Sequence, residues 1–391
     1  MIVTPLSDRG TAAVREVLLS HGWEGDLALL AAGGLATGGF HVTGLATNTI
    51  EAMLSVAGRL GLELVTGDDW IILAGARSRL GAFARPWLQP EPVQELAMAI
   101  GMALPAEAPR AWRHARGTLS LDGPVVVGVL NVTPDSFSDG GQTRTVAEAL
   151  AHVVELVDGG AAVVDVGSES TRPGAAPLDP AEELTRGLPV IEAIVREYPA
   201  LVLSVDTVRS ETARAALDAG VAIVNDVTAG RHDPALLAVA AANDAGVVLS
   251  HSRGALGRLA SYDAAEYGAD VVGVVAGEVA AAVANAGAAG VAADAIVIDP
   301  GFGFGKRPEQ NFRLLAGLDA FVAMGKPVLV GVSRKRFLGE VTGRGLDDRD
   351  RATAAACALA YSRGARLFRV HNPEAVRDAL KVAAAVERAS A

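Results

Sequence analysis

The run Pro124-Val-Val-Val-Gly-Val-Leu-Asn131-Val-Thr-Pro-Asp-Ser-Phe-Ser-Asp-Gly-Gly141 passes from an apolar stretch to an amide and then into a polar, turn-rich loop. An apolar run with no polar alternation reads as a strand buried on both faces, which belongs to a parallel sheet covered by helices. The same pattern recurs downstream. Strands are expected at Val125–Leu130, Ala162–Val166, Leu201–Val205, Ala222–Asn225, Gly246–Ser250, Ala295–Ile298, Pro327–Gly331 and Arg366–Val370, separated by longer Ala-rich segments of helical spacing. Eight such βα units predict an α/β fold, a closed (β/α)8 TIM barrel, with an open doubly wound sheet as the alternative. The polar residues favour the barrel: Asn131, Glu169, Asp206, Asn225, His251, Asp299, Ser333 and His371 all fall at or just after strand C-termini, where a barrel builds its active site.

Ahead of the barrel the texture changes. With 391 residues, the chain is long enough for a barrel and one further module. Residues 1–112 are expected to form a small α+β domain, with a β-α-β-β pattern from Phe40 to Ala76, and residues 113–391 the barrel. Pro86, Pro90, Pro92, Pro105 and Pro109 mark a connector with a helix around Val93 to Met102, and Arg116 to Gly123 is expected to form a hairpin plugging the barrel's base. The chain is 50% apolar and 20% charged, with a net charge of -11. That supports a large core and opposes general attraction to nucleic acid. A single cysteine, Cys357, excludes an intrachain disulfide, and the N-terminus lacks a secretory pattern, so a cytoplasmic location without membrane association is expected.

Several motifs carry chemistry. The loop Asn131 to Gly141, with Asp135 and Phe137, suits closure over a polar substrate. Glu169-Ser-Thr-Arg-Pro-Gly174 sets the Arg172 guanidinium between Thr171 and the rigid Pro173, either as an anion contact or as a surface charge. Asp206, Asn225 and Asp299 direct acid or amide groups into one mouth, where they would meet a ligand with adjacent N–H donors or form an internal network with Lys335. Gly331-Val-Ser-Arg-Lys335 brings Ser333 and Lys335 to the seventh strand end. Arg369 and His371 lie two residues apart, on one side of the last strand, as an anion site.

Taken together, Asn131 to Gly141, Glu169 to Gly174, Asp299 to Lys306, Ser333 to Lys335 and Arg369 to His371 resemble the motifs of the dihydropteroate synthase family, in order, over about Gly117 to Val386. The resemblance implies condensation of a pterin pyrophosphate with p-aminobenzoate. It assigns Asp206, Asn225, Asp299 and Lys335 to the pterin, and Asn131, Arg369 and His371 to the pyrophosphate and Mg2+, with Asn131 as the metal ligand. Phe137, Thr171, Arg172, Pro173 and Lys335 would surround p-aminobenzoate, and Asp135 would shape the reaction centre. A homodimer is a further implication. The chain departs from the family pattern at Ser250-His251-Ser252, at Gly167-Ser168-Glu169 and at His371-Asn372. The competing readings are a pterin-binding methyltransferase domain and a non-catalytic pterin-binding protein. Because the full set of motifs lies after Gly128, a chain starting near Arg113 is expected to retain synthase activity, as an assay paired with circular dichroism and size exclusion would show.

Overall fold

A computed structural model of the chain describes residues 1–6, 20, 39–75, 77–84, 86–103, 109–132, 141–168 and 178–390. Two compact units divide it, Met1–Ala106 and Glu107–Ser390. In the first, strands β1 (Ile2–Pro5), β2 (Gly39–Thr43), β3 (Glu63–Thr66) and β4 (Trp70–Ala74) form an antiparallel sheet in the order β1-β2-β4-β3. The expected β-α-β-β pattern is present, with the helix Thr47–Leu60 ended by Gly61 in the left-handed region at φ 63°. Glycine adopts that conformation without a Cβ clash. Val42, Met53, Ile71, Leu73, Phe83 and Ile100 form this unit's core.

The second unit opens with a hairpin of β5 (Ala111–His114) and β6 (Gly117–Ser120), which begins five residues earlier than the sequence pattern indicates. Trp112 decides that difference. Its ring is buried and its Nε1 donates to the Ala295 carbonyl at 2.9 Å, so an indole N–H that would be costly to bury alone is satisfied. Eight parallel strands follow: β7 (Val125–Asn131), β8 (Val163–Gly167), β9 (Val202–Asp206), β10 (Ile223–Asp226), β11 (Gly246–Ser250), β12 (Ile296–Asp299), β13 (Leu329–Val330) and β14 (Leu367–Val370). Their order is β12-β11-β10-β9-β8-β7-β14-β13, and a parallel bridge between Ile298 and Val328 closes the ring. The structure is therefore a barrel and not an open sheet.

Side chains from successive strands fill the lower interior. Val127, Val163, Ile223, Val248, Val297, Leu329 and Leu367 cluster with Trp112 and Leu121, so the hairpin seals the floor as expected. Outside, the helices cover the sheet. Helix Pro180–Glu197 shows why they start where they do: Asp179 accepts the Ala181 amide at 2.9 Å, a proline follows at the first position, and Glu182 and Glu183 sit in the first turn, all favourable at a helix N-terminus. Helix Val271–Ala288 has a mean hydropathy of 1.6, enough in length and composition to cross a bilayer. In this fold it is the crossover between β11 and β12 and buries Val271, Val275 and Val279 against the barrel.

A chain starting at Arg113 would lack Trp112, whereas one starting at Glu107 keeps the whole hairpin. The longer chain should unfold cooperatively, and the shorter should lose about 3–5 kcal/mol, the usual cost of deleting a buried aromatic. Urea denaturation of the two chains measures the difference.

Candidate active site

Register aligns the polar strand ends at one height. Asn131 pairs with Gly167, Gly167 with Asp206, Asp206 with Asn225, and Ser250 with Asp299. In strands, alternate residues share a face, so Asp206 and Arg369 point into the same mouth as their neighbours. Gly167 lies between Asn131 and Asp206: a Cβ there would sit 3.5 Å from the Asp206 Cβ and 3.8 Å from Asn131 Oδ1, ordinary contact distances.

At the centre is Arg369. Its Nε donates to Asp165 Oδ2 at 2.6 Å and its Nη2 to Asp206 Oδ2 at 2.7 Å. Burial works against the guanidinium charge, but the two carboxylates outweigh it and raise the pKa. Burial pushes the Asp206 carboxyl up to about 7, with Arg369 pulling the other way. The carboxylates' partner is thus Arg369 and not Lys335. Two of the guanidinium's donors are taken on the inner side, and Nη1 has no protein partner among the described residues.

Asp165, which the strand-end pattern passes over, holds this cluster together. It is fully buried, and its Oδ2 also accepts from Asn225 Nδ2 at 2.9 Å. The sequence signal was present: a lone carboxylate inside Val163-Val-Asp-Val-Gly167, on the same strand face as Gly167. Asp165 Oδ1 and Asn225 Oδ1 are buried with no hydrogen-bond partner among the described residues. Both residues line one small cavity with Trp112, Ser204 and Arg369. Orphaned buried acceptors are costly and call for donors.

Across the mouth, Asp299 accepts from Gly301 N at 2.8 Å and Ser250 Oγ at 3.2 Å. Burial raises its pKa, and the Gly301 amide and the Lys306 charge oppose the rise. Ser250 thus serves the pocket floor, whereas Ser252 Oγ donates to the Val227 carbonyl at 2.6 Å. Lys335 Nζ lies 4.0 Å from the centroid of the Phe304 ring and has no hydrogen-bond partner among the described residues. Burial lowers its pKa to about 8, and the Arg369 charge adds to the effect. His371 receives its contact from Ser333, whose Oγ lies 3.1 Å from the His371 amide and 2.9 Å from Nδ1. Asn372 Nδ2 donates to Asp350 Oδ2 at 2.9 Å, and Asp350 also pairs with Arg334 through both oxygens, at 2.8 and 2.9 Å. An asparagine suits that place, because it donates to a carboxylate where an aspartate would repel it.

The structure therefore brings together Asn131, Asp206, Asn225, Asp299, Ser333, Lys335, Arg369 and His371 at one end of the barrel. Asp135, Phe137, Thr171, Arg172 and Pro173 lie outside the described residues. Among the described residues no three His, Cys, Asp or Glu side chains form a metal-binding group.

A closed parallel barrel with buried carboxylates, an amide and a lysine at the C-terminal ends of its strands defines a barrel enzyme with its polar site at that mouth. Comparison with known proteins gives the same class. Residues 127–371 match the family described as pterin binding enzyme. The dihydropteroate synthase of Mycobacterium leprae is 45% identical over 273 residues, 68% of this chain and 95% of its own length. A structure of Xanthomonas albilineans dihydropteroate synthase with 4-aminobenzoic acid aligns with a TM-score of 0.65 and 46% identity, over 71% of this chain and 98% of that one. Another, in complex with 7,8-dihydropteroate, aligns at 0.62 and 43%, over 70% and 98%. The chain belongs to the dihydropteroate synthase family of pterin-binding enzymes.

Asp165→Ala should leave Arg369 with one carboxylate and Asn225 with no acceptor. A stability loss of about 3 kcal/mol is expected from breaking a buried pair, read from the urea midpoint. An unchanged midpoint would remove Asp165 from the centre of the cluster.

Proposed function

We propose that the barrel joins 6-hydroxymethyl-7,8-dihydropterin pyrophosphate to p-aminobenzoate, giving 7,8-dihydropteroate and pyrophosphate. The observation that carries this reading is the buried carboxylate of Asp299, held by the Gly301 amide and Ser250 across the mouth from the Arg369 cluster, with Lys335 Nζ free of hydrogen-bond partners among the described residues. A pterin edge supplies adjacent N–H donors, and Lys335 supplies a donor for a ring acceptor. The solved relatives bound to 4-aminobenzoic acid and to 7,8-dihydropteroate support the same substrate pair.

In this reaction the C–O bond to pyrophosphate breaks, the leaving oxygen keeps the electron pair, and the arylamine nitrogen bonds to the same carbon and then loses a proton. An arylamine is already a nucleophile, so the enzyme's task is positioning and charge stabilisation, with no covalent intermediate. Arg369 is clamped from within by two carboxylates and turns Nη1 toward the leaving group, while the Ser333 hydroxyl orients His371. Mg2+ would neutralise pyrophosphate charge. Asn131 offers it one oxygen, which suits an ion that takes few protein ligands and completes its shell with phosphate and water. By resemblance, Asp135, Phe137, Thr171, Arg172 and Pro173 complete the p-aminobenzoate side. A homodimer accords with Val382 and Val386, exposed one turn apart on helix Pro373–Ser390, and with exposed Leu359 on helix Asp350–Ser362. Light scattering tests that assembly.

The defining assay is pyrophosphate release that requires both substrates. Release without p-aminobenzoate, or none with both, would exclude a synthase. Asp299→Ala should weaken pterin binding roughly 10- to 100-fold, the worth of charge-assisted hydrogen bonds of about 1.5–3 kcal/mol. His371→Ala should weaken the pyrophosphate substrate about tenfold more than a phosphate-free pterin. Arg369→Ala should impair both, because it also strands two buried carboxylates. Calorimetric titration with each ligand separates these outcomes.

A further inference from the structure

The candidate chemistry leaves the buried Lys306 unused. Lys306 is 1% exposed, at the end of the loop Asp299-Pro-Gly-Phe-Gly-Phe-Gly-Lys306. Its Nζ lies 2.8 Å from His251 Nδ1, 2.9 Å from the Gly301 carbonyl and 3.1 Å from the Phe304 carbonyl. His251 Nε2 faces Glu278 Oε2 at 2.9 Å. A ring proton on Nε2 makes Nδ1 an acceptor, so Lys306 meets three close acceptors, with the His251 carbonyl a fourth at 3.5 Å. An ammonium has three hydrogens to give them. Burial lowers the Lys306 pKa to about 7, with the Asp299 charge opposing.

The two carbonyls are informative. Gly301, through its amide, holds Asp299 Oδ1 at 2.8 Å, and Phe304, through its ring, lies under Lys335 Nζ at 4.0 Å. The loop has little freedom to do this in another way. Gly301 has φ 70°, and a Cβ there would fall 1.7 Å from the His251 carbonyl oxygen. Asn311 fastens the loop from the other side, accepting from Gly303 N at 2.7 Å and donating to the Lys306 carbonyl at 3.0 Å.

We infer that Lys306 is a positioning residue: by holding the Gly301 and Phe304 carbonyls against His251, it sets Asp299 and Lys335 at once for the ring they bind. The inference rests on the synthase reading and assigns a role to the unused end of the loop and to His251.

Titration with 6-hydroxymethylpterin tests it. Lys306→Met should weaken binding about tenfold, the scale of coupling within one hydrogen-bond network, and should raise the KM for the pterin substrate. In an Asp299→Asn background the same change should cost less than in the unaltered protein, because the route through Asp299 is weakened and only that through Lys335 remains whole. His251→Leu should follow Lys306→Met, and His251→Asn, which returns an acceptor near Nδ1, should restore affinity. These outcomes support the inference. Additive losses in the double variant, or full affinity in a folded Lys306→Met protein, would overturn it. If circular dichroism shows Lys306→Met unfolded, the His251 pair decides: equal affinities for Leu and Asn would overturn it. Failure of the wild-type protein to bind the pterin would instead count against the synthase reading.

Discussion

A guanidinium bonded to two carboxylates inside a closed barrel sets the terms for everything at its mouth. Burial drives Asp206 toward its neutral form and Arg369 opposes that, while the two carboxylates favour the guanidinium charge against burial. Asp165 also fixes Asn225, so one internal ion cluster links β8, β9, β10 and β14. Closure of the ring at Ile298 and Val328 keeps those strands at fixed distances. Among the described residues the arrangement leaves Asp165 Oδ1 and Asn225 Oδ1 without donors, a cost that folding alone does not explain.

Much of this was legible beforehand. Uninterrupted apolar runs marked all eight strands within one or two residues, because a strand covered on both faces leaves no polar alternation to blur its limits. Asp206, Asn225, Asp299 and Arg369 were visible because each ends or nearly ends such a run. Asp165 was not read, since attention to strand ends passes over a carboxylate one inward step below, although the period of two places it on the face of Gly167. Trp112 was missed for a different reason. It lies before the first apolar run, and its partner is the Ala295 carbonyl, 183 residues away. Long-range pairing of that kind has no local pattern.

The departures from the family pattern have local explanations. Ser250 donates to Asp299, and Asn372 donates to Asp350. In both places a neutral donor faces a carboxylate, so the charge arrangement of the pocket is preserved. Asp350 in turn pairs with Arg334, a non-glycine residue at φ 55°. That strained backbone lies between Ser333 and Lys335 and is held where the two side chains need it.

The sealed floor has a kinetic consequence. Among the described residues, Trp112 and the valine and leucine layer above it close the lower end of the barrel, which leaves the mouth as the way in. Under the proposed chemistry the ring settled beside Asp299 lies beneath whatever fills the entrance, so occupants behave as a stack, with the last to arrive the first to depart. A second molecule that enters early blocks the way down and forms a dead-end complex. Sequential order then follows from the architecture of the vessel, with no need for a signal between the two subsites.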